Sequence, residues 1–524
     1  MTSFVRSLGI AAAFVLLSSP PMLRHWIGGD TRAYVVVTVA LAALVAAITF
    51  AADVNEDAVV RSDRSVPAFL AGALASALVV VTCRTWLGAI LTVPIDPFRG
   101  DMLVVVREGL RRMSAGLNPY TIYHVPWAAP LAYGPLLWAP YVIPMLVKVD
   151  LRFLTVAGEL FVPVACAVVA LASARRGRVL HAAAALVLLA AIGFNPDLAR
   201  FTVVGHTPVY WPLLALFAWF VTRERWSAAA FCLGLLVVAR STMVAVVPVL
   251  LMTVWLRDRR ALARAVVLLS APIAVTLLPF AVWNLKSLTY ALYGSYEKVI
   301  KEVVWPDPTV PHTIGVTGVL LTHHWQRWVE TVQVVVLLLV YGACWFALRA
   351  RRAPLRLMGL ALLAFSMTTL WPVTYIYFDV LLLLAAGVLA DMSPDPGRWL
   401  LRWSALYVTS AAGVAVLAWM MLPADASTSA VRWRDAPRAA SVVCVRRRSS
   451  AAAIAVQTGA VPSGMLQEMT VTLNGIALGT IDLSPAGDLV TLPAPARLWN
   501  IGANSLEFAV AAPVSIGDIV VRPR

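Results

Sequence analysis

RFLTVAGELFVPVACAVVALASARRGRVLHAAAALVLLAAIG, residues 152–193, decides the fold class. Two apolar runs, each near the roughly 20 residues that cross a hydrocarbon core, flank a short break carrying Arg175, Arg176 and Arg178. The runs do not alternate, so they read as helices, which satisfy their own backbone amides in lipid. The same pattern extends outward in both directions, with further Arg-rich breaks at TRERW, RDRRA and RARRAPLR. Taking these breaks as cytoplasmic places helices near 4–20, 34–52, 67–93, 152–173, 179–194, 208–222, 262–283, 329–348, 355–371, 374–390 and 403–422.

Composition agrees. Of 524 residues, 60% are hydrophobic and only 13% charged, where a soluble chain carries about a quarter charged. The net charge of +15 sits in the short breaks, which makes it an orientation signal and not a nucleic-acid surface. Cys83, Cys166, Cys232, Cys344 and Cys444 show no paired spacing, so neither a disulfide framework nor a zinc site is indicated. The run from Val5 to Pro20 resembles a signal-peptide core, but Tyr34–Ala52 follows at once with no convincing cleavage site, and it reads as an uncleaved first helix.

Two apolar stretches do not fit simple spanning. Leu131–Val147 carries Pro135, Pro140 and Pro144 and reads as a broken or re-entrant helix. Trp226–Leu256 is too long for one span and too short for two; it is either a hairpin with Arg240 at its tip or one long tilted helix whose Arg240 snorkels or faces a water cavity. Outside the cytoplasm lie loops 94–130, 195–207 and 284–327, and six of the seven histidines fall on that side: His25, His124, His206, His312, His323 and His324. At Pro423 the composition shifts to alternating apolar residues and turn residues, as in MTVTLNG, with a hairpin expected at Asn474-Gly475. The stretch from Ala426 to Ser450 is less readable and is taken as partly a linker. The expected architecture is therefore a polytopic α-helical membrane protein of about 11–13 transmembrane helices over residues 1–423, and a small extracytoplasmic β-sandwich over residues 424–524.

The richest polar segment runs from residue 95 to 141. Asp101 opens an amphipathic stretch and Glu108 lies seven residues on, so helical spacing puts both on one face. The apolar residues between would bed the helix on a membrane surface, with Arg107, Arg111 and Arg112 toward head groups. A plain interfacial helix with solvated acids is the simpler alternative.

GDMLVVVREGLRRMSAGLNPY, residues 100–120, resembles the first extracytoplasmic loop of the GT-C glycosyltransferases, especially their bacterial mannosyltransferase-like branch. YGPLLWAP at Tyr133–Pro140 is similar to the family's Tyr-Pro-Pro element, with Gly134 in place of the first proline. GLLVVARSTMVAVVP resembles its helix pair with a basic residue, Arg240 standing where Lys is usual. TLWPVTYIYFDV resembles a late helix start whose histidine is absent here; Tyr375, Tyr377 and Asp379 occupy that region.

The resemblance implies a GT-C-like membrane domain and transfer of a sugar, with inversion, from a polyprenyl-phosphate donor to a lipid or glycan of the bacterial cell envelope, at the outer face of the inner membrane. It implies Asp101 as the general base that takes the acceptor proton. Arg240, then Arg99, His206 and Lys286, become candidates for the departing phosphate, and Glu108, Tyr120 and His124 candidates for substrate contact. No metal is called for, and the expected partners are the bilayer, the donor and the acceptor, not nucleic acid. The C-terminal domain resembles the carbohydrate-binding-type β-domains of some membrane glycosyltransferases, where Trp499 and Asn500 would offer an aromatic platform unless Trp499 is core. Walker and Rossmann fingerprints are lacking, which argues against cytoplasmic nucleotide-sugar chemistry. A transporter or flippase of a lipid-linked saccharide, or a non-catalytic scaffold, are the alternatives; no internal repeat of the transporter kind is visible.

Overall fold

The apolar runs form helices in the computed structural model, which describes residues 3–18, 31–50, 65–95, 102–124, 128–204, 208–301, 315–350, 353–371, 374–392, 408, 411–413, 415–422, 427–428, 438–446, 452–457, 467–483, 489–510 and 520–523. Among these, four helices are long and apolar enough to cross a membrane: Ala68–Thr92, Arg152–Ala174, Arg259–Lys298 and Gln326–Arg349. A fifth results if Val179–Gly193 and Pro196–Val203, bent by 48°, form one broken span. The larger number expected from the sequence includes apolar helices that the structure limits to 10–17 residues, such as Trp211–Thr222 and Pro354–Met367, short of a full hydrocarbon crossing.

The long helices turn apolar side chains outward. Val334, Leu338, Leu339 and Phe346 on Val329–Arg349 are all more than half exposed, a contiguous apolar face that water would penalise at about 25 cal/mol per Å². Among the described residues, two segments expected as loops are largely helical. Leu262–Thr289 runs through a kink at Asn284 and continues by a π turn into Ser295–Lys301, and Pro196–Val204 occupies most of 195–207. Polar residues concealed these helices, because their periodicity is weaker than that of the flanking apolar runs.

Glycine permits the closest helix approach. Trp226–Ala239 crosses Leu262–Thr289 where Gly234 faces the Leu269 carbonyl and Pro272. Gly134 sits at the start of the broken helix, where any β-carbon would strike the Val238 carbonyl. That contact explains why no side chain occupies position 134. Gly134→Ala is expected to lower stability by about 1–3 kcal/mol through overpacking, read as a fall in thermal unfolding midpoint relative to Gly342→Ala, in the helix Val329–Arg349, whose β-carbon would meet nothing.

One buried ion pair terminates the helix Ser65–Thr92. Arg152 and Asp150 are each 1% exposed, with Nη2 to Oδ2 at 2.8 Å. The same guanidinium donates to the carbonyls of Val93 at 2.6 Å and Ile90 at 2.7 Å, a cation where a helix C-terminus leaves acceptors unmade.

The C-terminal strands are β3 (Ser427–Thr428), β4 (Arg438–Val445), β5 (Ala452–Gln457), β6 (Gln467–Leu473), β7 (Ile476–Leu483), β8 (Leu489–Ala494), β9 (Gly502–Val510) and β10 (Val520–Pro523), after a short hairpin of β1 (Ile122–His124) and β2 (Ala128–Pro130). They form a five-stranded sheet, β3-β4-β9-β6-β7, and a three-stranded sheet, β10-β5-β8, around Val443, Val456, Val471, Ile481, Leu506 and Phe508. The Asn474-Gly475 turn joins β6 to β7 with both residues at positive φ, 51° and 76°, as a type I′ hairpin requires. The segment read as partly linker supplies β4, paired with both β3 and β9; its buried Val442–Val445 run was hidden among arginines. Trp499 is core, 1% exposed, with its indole donating to the Ala494 carbonyl at 3.0 Å, so it offers no open platform for a sugar.

Candidate functional site

The helix Trp226–Ala239 stops at Arg240, whose backbone is extended at φ −140° and ψ 105°. A 3-10 turn, Ser241–Val246, follows before the helix Val247–Arg257, which has proline in its first turn. The break leaves the Arg240 side chain among apolar helices, 7% exposed. A charge there needs a partner, and Asp379 supplies it, 0% exposed in the first turn of Tyr377–Met392. The Arg240 Nε lies 3.5 Å from Asp379 Oδ2, and the guanidinium sits 5.3 Å from the centre of the Tyr375 ring, within cation–π range.

Asp379 is fully engaged. The Tyr210 hydroxyl donates to Oδ1 and Oδ2 at 2.7 and 2.8 Å, and the Trp211 indole donates to Oδ1 at 3.1 Å. Three segments distant in sequence thus meet on one carboxylate. Because its other partners hold it in place, Asp379 orients Arg240 without needing all of the cation's donors.

Those donors border a cavity of about 280 Å³. Arg240, Thr242 and Gln333 contribute polar groups to it, and Tyr133, Tyr296, Trp371 and Tyr375 contribute aromatic walls. Thr242 Oγ1 and Gln333 Nε2 are buried and make no hydrogen bond, while Arg240 Nε is turned to Asp379. Buried donors without acceptors are uncommon in a native structure. Two of them beside the guanidinium that Asp379 orients make a site for a ligand rich in oxygen acceptors. Tyr296 closes the cavity wall by donating to the carbonyl of Ala132, just ahead of the broken helix, at 3.2 Å.

Of the catalytic and substrate-contact candidates named from the sequence, Arg240 alone among the described residues lines this cavity, along with Tyr133, Gly134 and Tyr375 from the motif-like segments. Asp101, Arg99 and His206 lie outside the described residues, as does Asp96. Glu108 does not face the cavity; it pairs with Arg111 at 2.8 Å and Arg107 at 3.4 Å. The amphipathic helix is present as Met102–Ser114, but its apolar residues Leu103, Val106 and Leu110 pack against Trp138, Tyr141 and Phe280 instead of bedding on a membrane face. Arg107 and Arg111 accordingly turn toward the β-sandwich, not toward head groups, while Arg112 donates to the Asn118 carbonyl.

Tyr120 is a structural pillar. It is 1% exposed, donates to the Tyr133 carbonyl at 3.0 Å, and packs edge-on against Trp138 and Phe280. Burial raises its pKa and keeps the hydroxyl neutral. His124 is exposed on β1, and Lys286 is exposed on the helix Leu262–Thr289; neither lines the cavity. Among the described residues no cluster of three His, Cys, Asp or Glu could hold a metal ion.

No family model, curated protein or solved structure matches the chain. The site is therefore read from its own geometry. Sequence reasoning missed Asp379 as the partner of Arg240, and missed Thr242 and Gln333 altogether. The available signal was the pairing rule: Arg240 and Asp379 each stand in an apolar run, and isolated charges there seek each other.

Proposed function

We propose that the chain is a membrane-embedded glycosyltransferase that moves a sugar from a polyprenyl-phosphate donor to a cell-envelope lipid or glycan, with inversion, at the extracytoplasmic face. The observation that carries this reading is the cavity in which Thr242 and Gln333 present unmatched donors beside the Arg240 guanidinium and aromatic walls. A sugar phosphodiester has the matching chemistry, oxygen acceptors with one negative charge next to a ring that stacks on aromatics. In the reaction the acceptor oxygen bonds to the anomeric carbon as the bond from that carbon to the phosphate oxygen breaks. The departing electron pair stays on the phosphate, where Arg240 and its neighbours meet the added charge, and Asp101 takes the acceptor's proton.

The test is transfer by purified protein in nanodiscs, using a panel of radiolabelled polyprenyl-phosphate sugars and envelope lipid extract. Labelled product that depends on the protein is expected; none from any donor would end the reading. A second reading is movement of a lipid-linked saccharide across the bilayer, favoured by a buried ion pair at a helix break, an arrangement also used by transporters. Movement of the donor between leaflets of a sealed vesicle, without sugar transfer, would select it.

The orientation in this proposal makes residues 424–524 extracytoplasmic, since the Arg-rich breaks lie in the cytoplasm. A reporter active only in the cytoplasm, fused after Arg524, is expected to be silent. Strong signal would place the β-sandwich, and the loop it touches, on the opposite side.

A further inference from the structure

The loop from Ile95 to Asp150 is anchored on one region of the β-sandwich at three points. At its start, the Ile95 amide donates to Ser505 Oγ at 2.7 Å. At its end, Val149 forms a parallel bridge with Ile501, the Ile501 amide donates to the Lys148 carbonyl at 2.8 Å, and the Asp150 amide donates to the Ile501 carbonyl at 3.2 Å. In the middle, Arg111 of the loop helix donates to the Asn474 carbonyl at 2.8 Å. The Arg107 guanidinium lies where a β-carbon on Gly475 would be.

The receiving turn is rigid. The Asn474 amide donates to the Ser505 carbonyl at 2.8 Å, its side-chain carbonyl accepts from the Ser505 amide at 3.0 Å, and its side-chain amide donates to the Leu498 carbonyl and to Asn504, each at 2.9 Å. Asn504 is itself 0% exposed. Burial lowers the Arg111 pKa, and the neighbouring Arg107 adds to that, while Glu108 opposes it; the hydrogen bonds to Glu108 and Asn474 hold the charge where it is.

The opposite side of the loop helix packs behind the cavity wall. Leu103, Val106 and Leu110 share one apolar cluster with Leu288 and Ala291, against which Tyr133 and Leu292 pack, and Tyr133 and Leu292 line the Arg240 cavity. The helix is a plank between the sandwich and that cavity. Asp101 is the residue immediately before it.

We propose that the C-terminal β-sandwich is a positioning domain for the reaction, and that Arg111 is the residue through which the Asn474-Gly475 turn sets the loop helix against the cavity. The catalytic consequence rests on the glycosyltransferase reading; the mechanical one does not. Loosening the plank displaces the segment that carries Asp101 while leaving Arg240, Thr242 and Gln333 in place, so turnover falls and donor binding is kept.

The experiment compares wild type with Arg111→Met, Arg111→Lys and Gly475→Ala in nanodiscs, by amide hydrogen exchange and by transfer kinetics. Arg111→Met is expected to speed exchange in residues 102–114 on the order of tenfold, with exchange in 262–289 unchanged. Arg111→Lys should fall between the two, since an ammonium reaches Glu108 or Asn474 but not both. Gly475→Ala should loosen the same helix from the sandwich side. In the kinetic arm Arg111→Met should lower kcat about tenfold with donor KM within about twofold. Unchanged exchange in 102–114 in both Arg111→Met and Gly475→Ala overturns the proposal, as does a donor KM that rises with kcat intact. If wild type transfers no sugar, the enzymatic reading fails while the exchange data still decide whether the clamp exists.

Discussion

Arg240→Gln is expected to lower sugar transfer by on the order of a hundred- to a thousandfold, the range seen when one donor to a developing oxyanion is removed. In the structure the guanidinium is the only cation bordering the cavity among the described residues, and it lies beside the unmatched Thr242 and Gln333 donors. Glutamine keeps a donor but removes the charge that a departing phosphate needs. The single substitution also leaves Asp379 without its cation, and breaking a buried pair costs about 3–5 kcal/mol. Loss of activity could then reflect loss of folding. The double variant Arg240→Gln with Asp379→Asn removes both charges and leaves an amide where Tyr210 and Trp211 need an acceptor.

The double variant should recover much of the thermal stability while remaining as inactive as the single one. Arg240→Lys should retain a fraction of activity, because an ammonium keeps the charge but lacks the planar fork that faces Asp379 and ligand together. Full transfer by a stable double variant would show that the cavity does not hold the phosphate. Recovery of transfer in step with recovery of stability would reduce the pair to a structural role. Either result removes Arg240 from the chemistry.

Arg240 also shows where the sequence was informative. An arginine inside an apolar run must be paired or hydrated, and that cost alone identified it, whichever helix geometry surrounded it. The identity of its partner depended on how three helices converge, since Tyr210, Trp211 and Asp379 are brought together by packing and not by spacing. Thr242 and Gln333 are ordinary residues in sequence and acquire meaning only because their donors are left unmade around one space. Gly134 is similar. Its departure from the Tyr-Pro-Pro pattern is visible in sequence, but the reason is a carbonyl from another helix.

Fold legibility followed the same division. Apolar runs located the helices, and alternation with turn residues located the Asn474-Gly475 hairpin. Both are local signals. The helical continuation past Asn284 and the burial of β4 between two neighbours are set by tertiary contacts, and polar or arginine-rich flanks masked them. The surroundings of Glu108 were hidden for a related reason. Helical spacing gives its face, but not that the face would be covered by arginines directed at the sandwich.

Asp101→Asn is expected to have the largest effect of all on turnover, on the order of a hundred- to ten-thousandfold, the contribution of general-base catalysis. Asparagine preserves the shape and accepts a hydrogen bond, yet it cannot take a proton from the acceptor hydroxyl at neutral pH. Asp101 immediately precedes the helix Met102–Ser114, which is held between the cavity wall and the β-sandwich, so the argument for it combines a sequence position with an anchored neighbour. Because Asp101 is remote in role from donor binding, donor KM should stay near wild type while kcat collapses, unlike Arg240→Gln, which should impair both donor binding and turnover. Glu108→Gln provides the contrast: its carboxylate is engaged with Arg107 and Arg111, so the expected loss is mild and arises through a looser loop helix. The measurement is initial rate against donor concentration for each purified variant in nanodiscs, with hydrogen exchange in 102–114 confirming an intact helix. Undiminished transfer by Asp101→Asn would remove that residue from the mechanism, and Asp96 would be the next carboxylate to substitute. Equal losses from Asp101→Asn and Glu108→Gln, both with faster exchange, would show that the segment matters only as a scaffold.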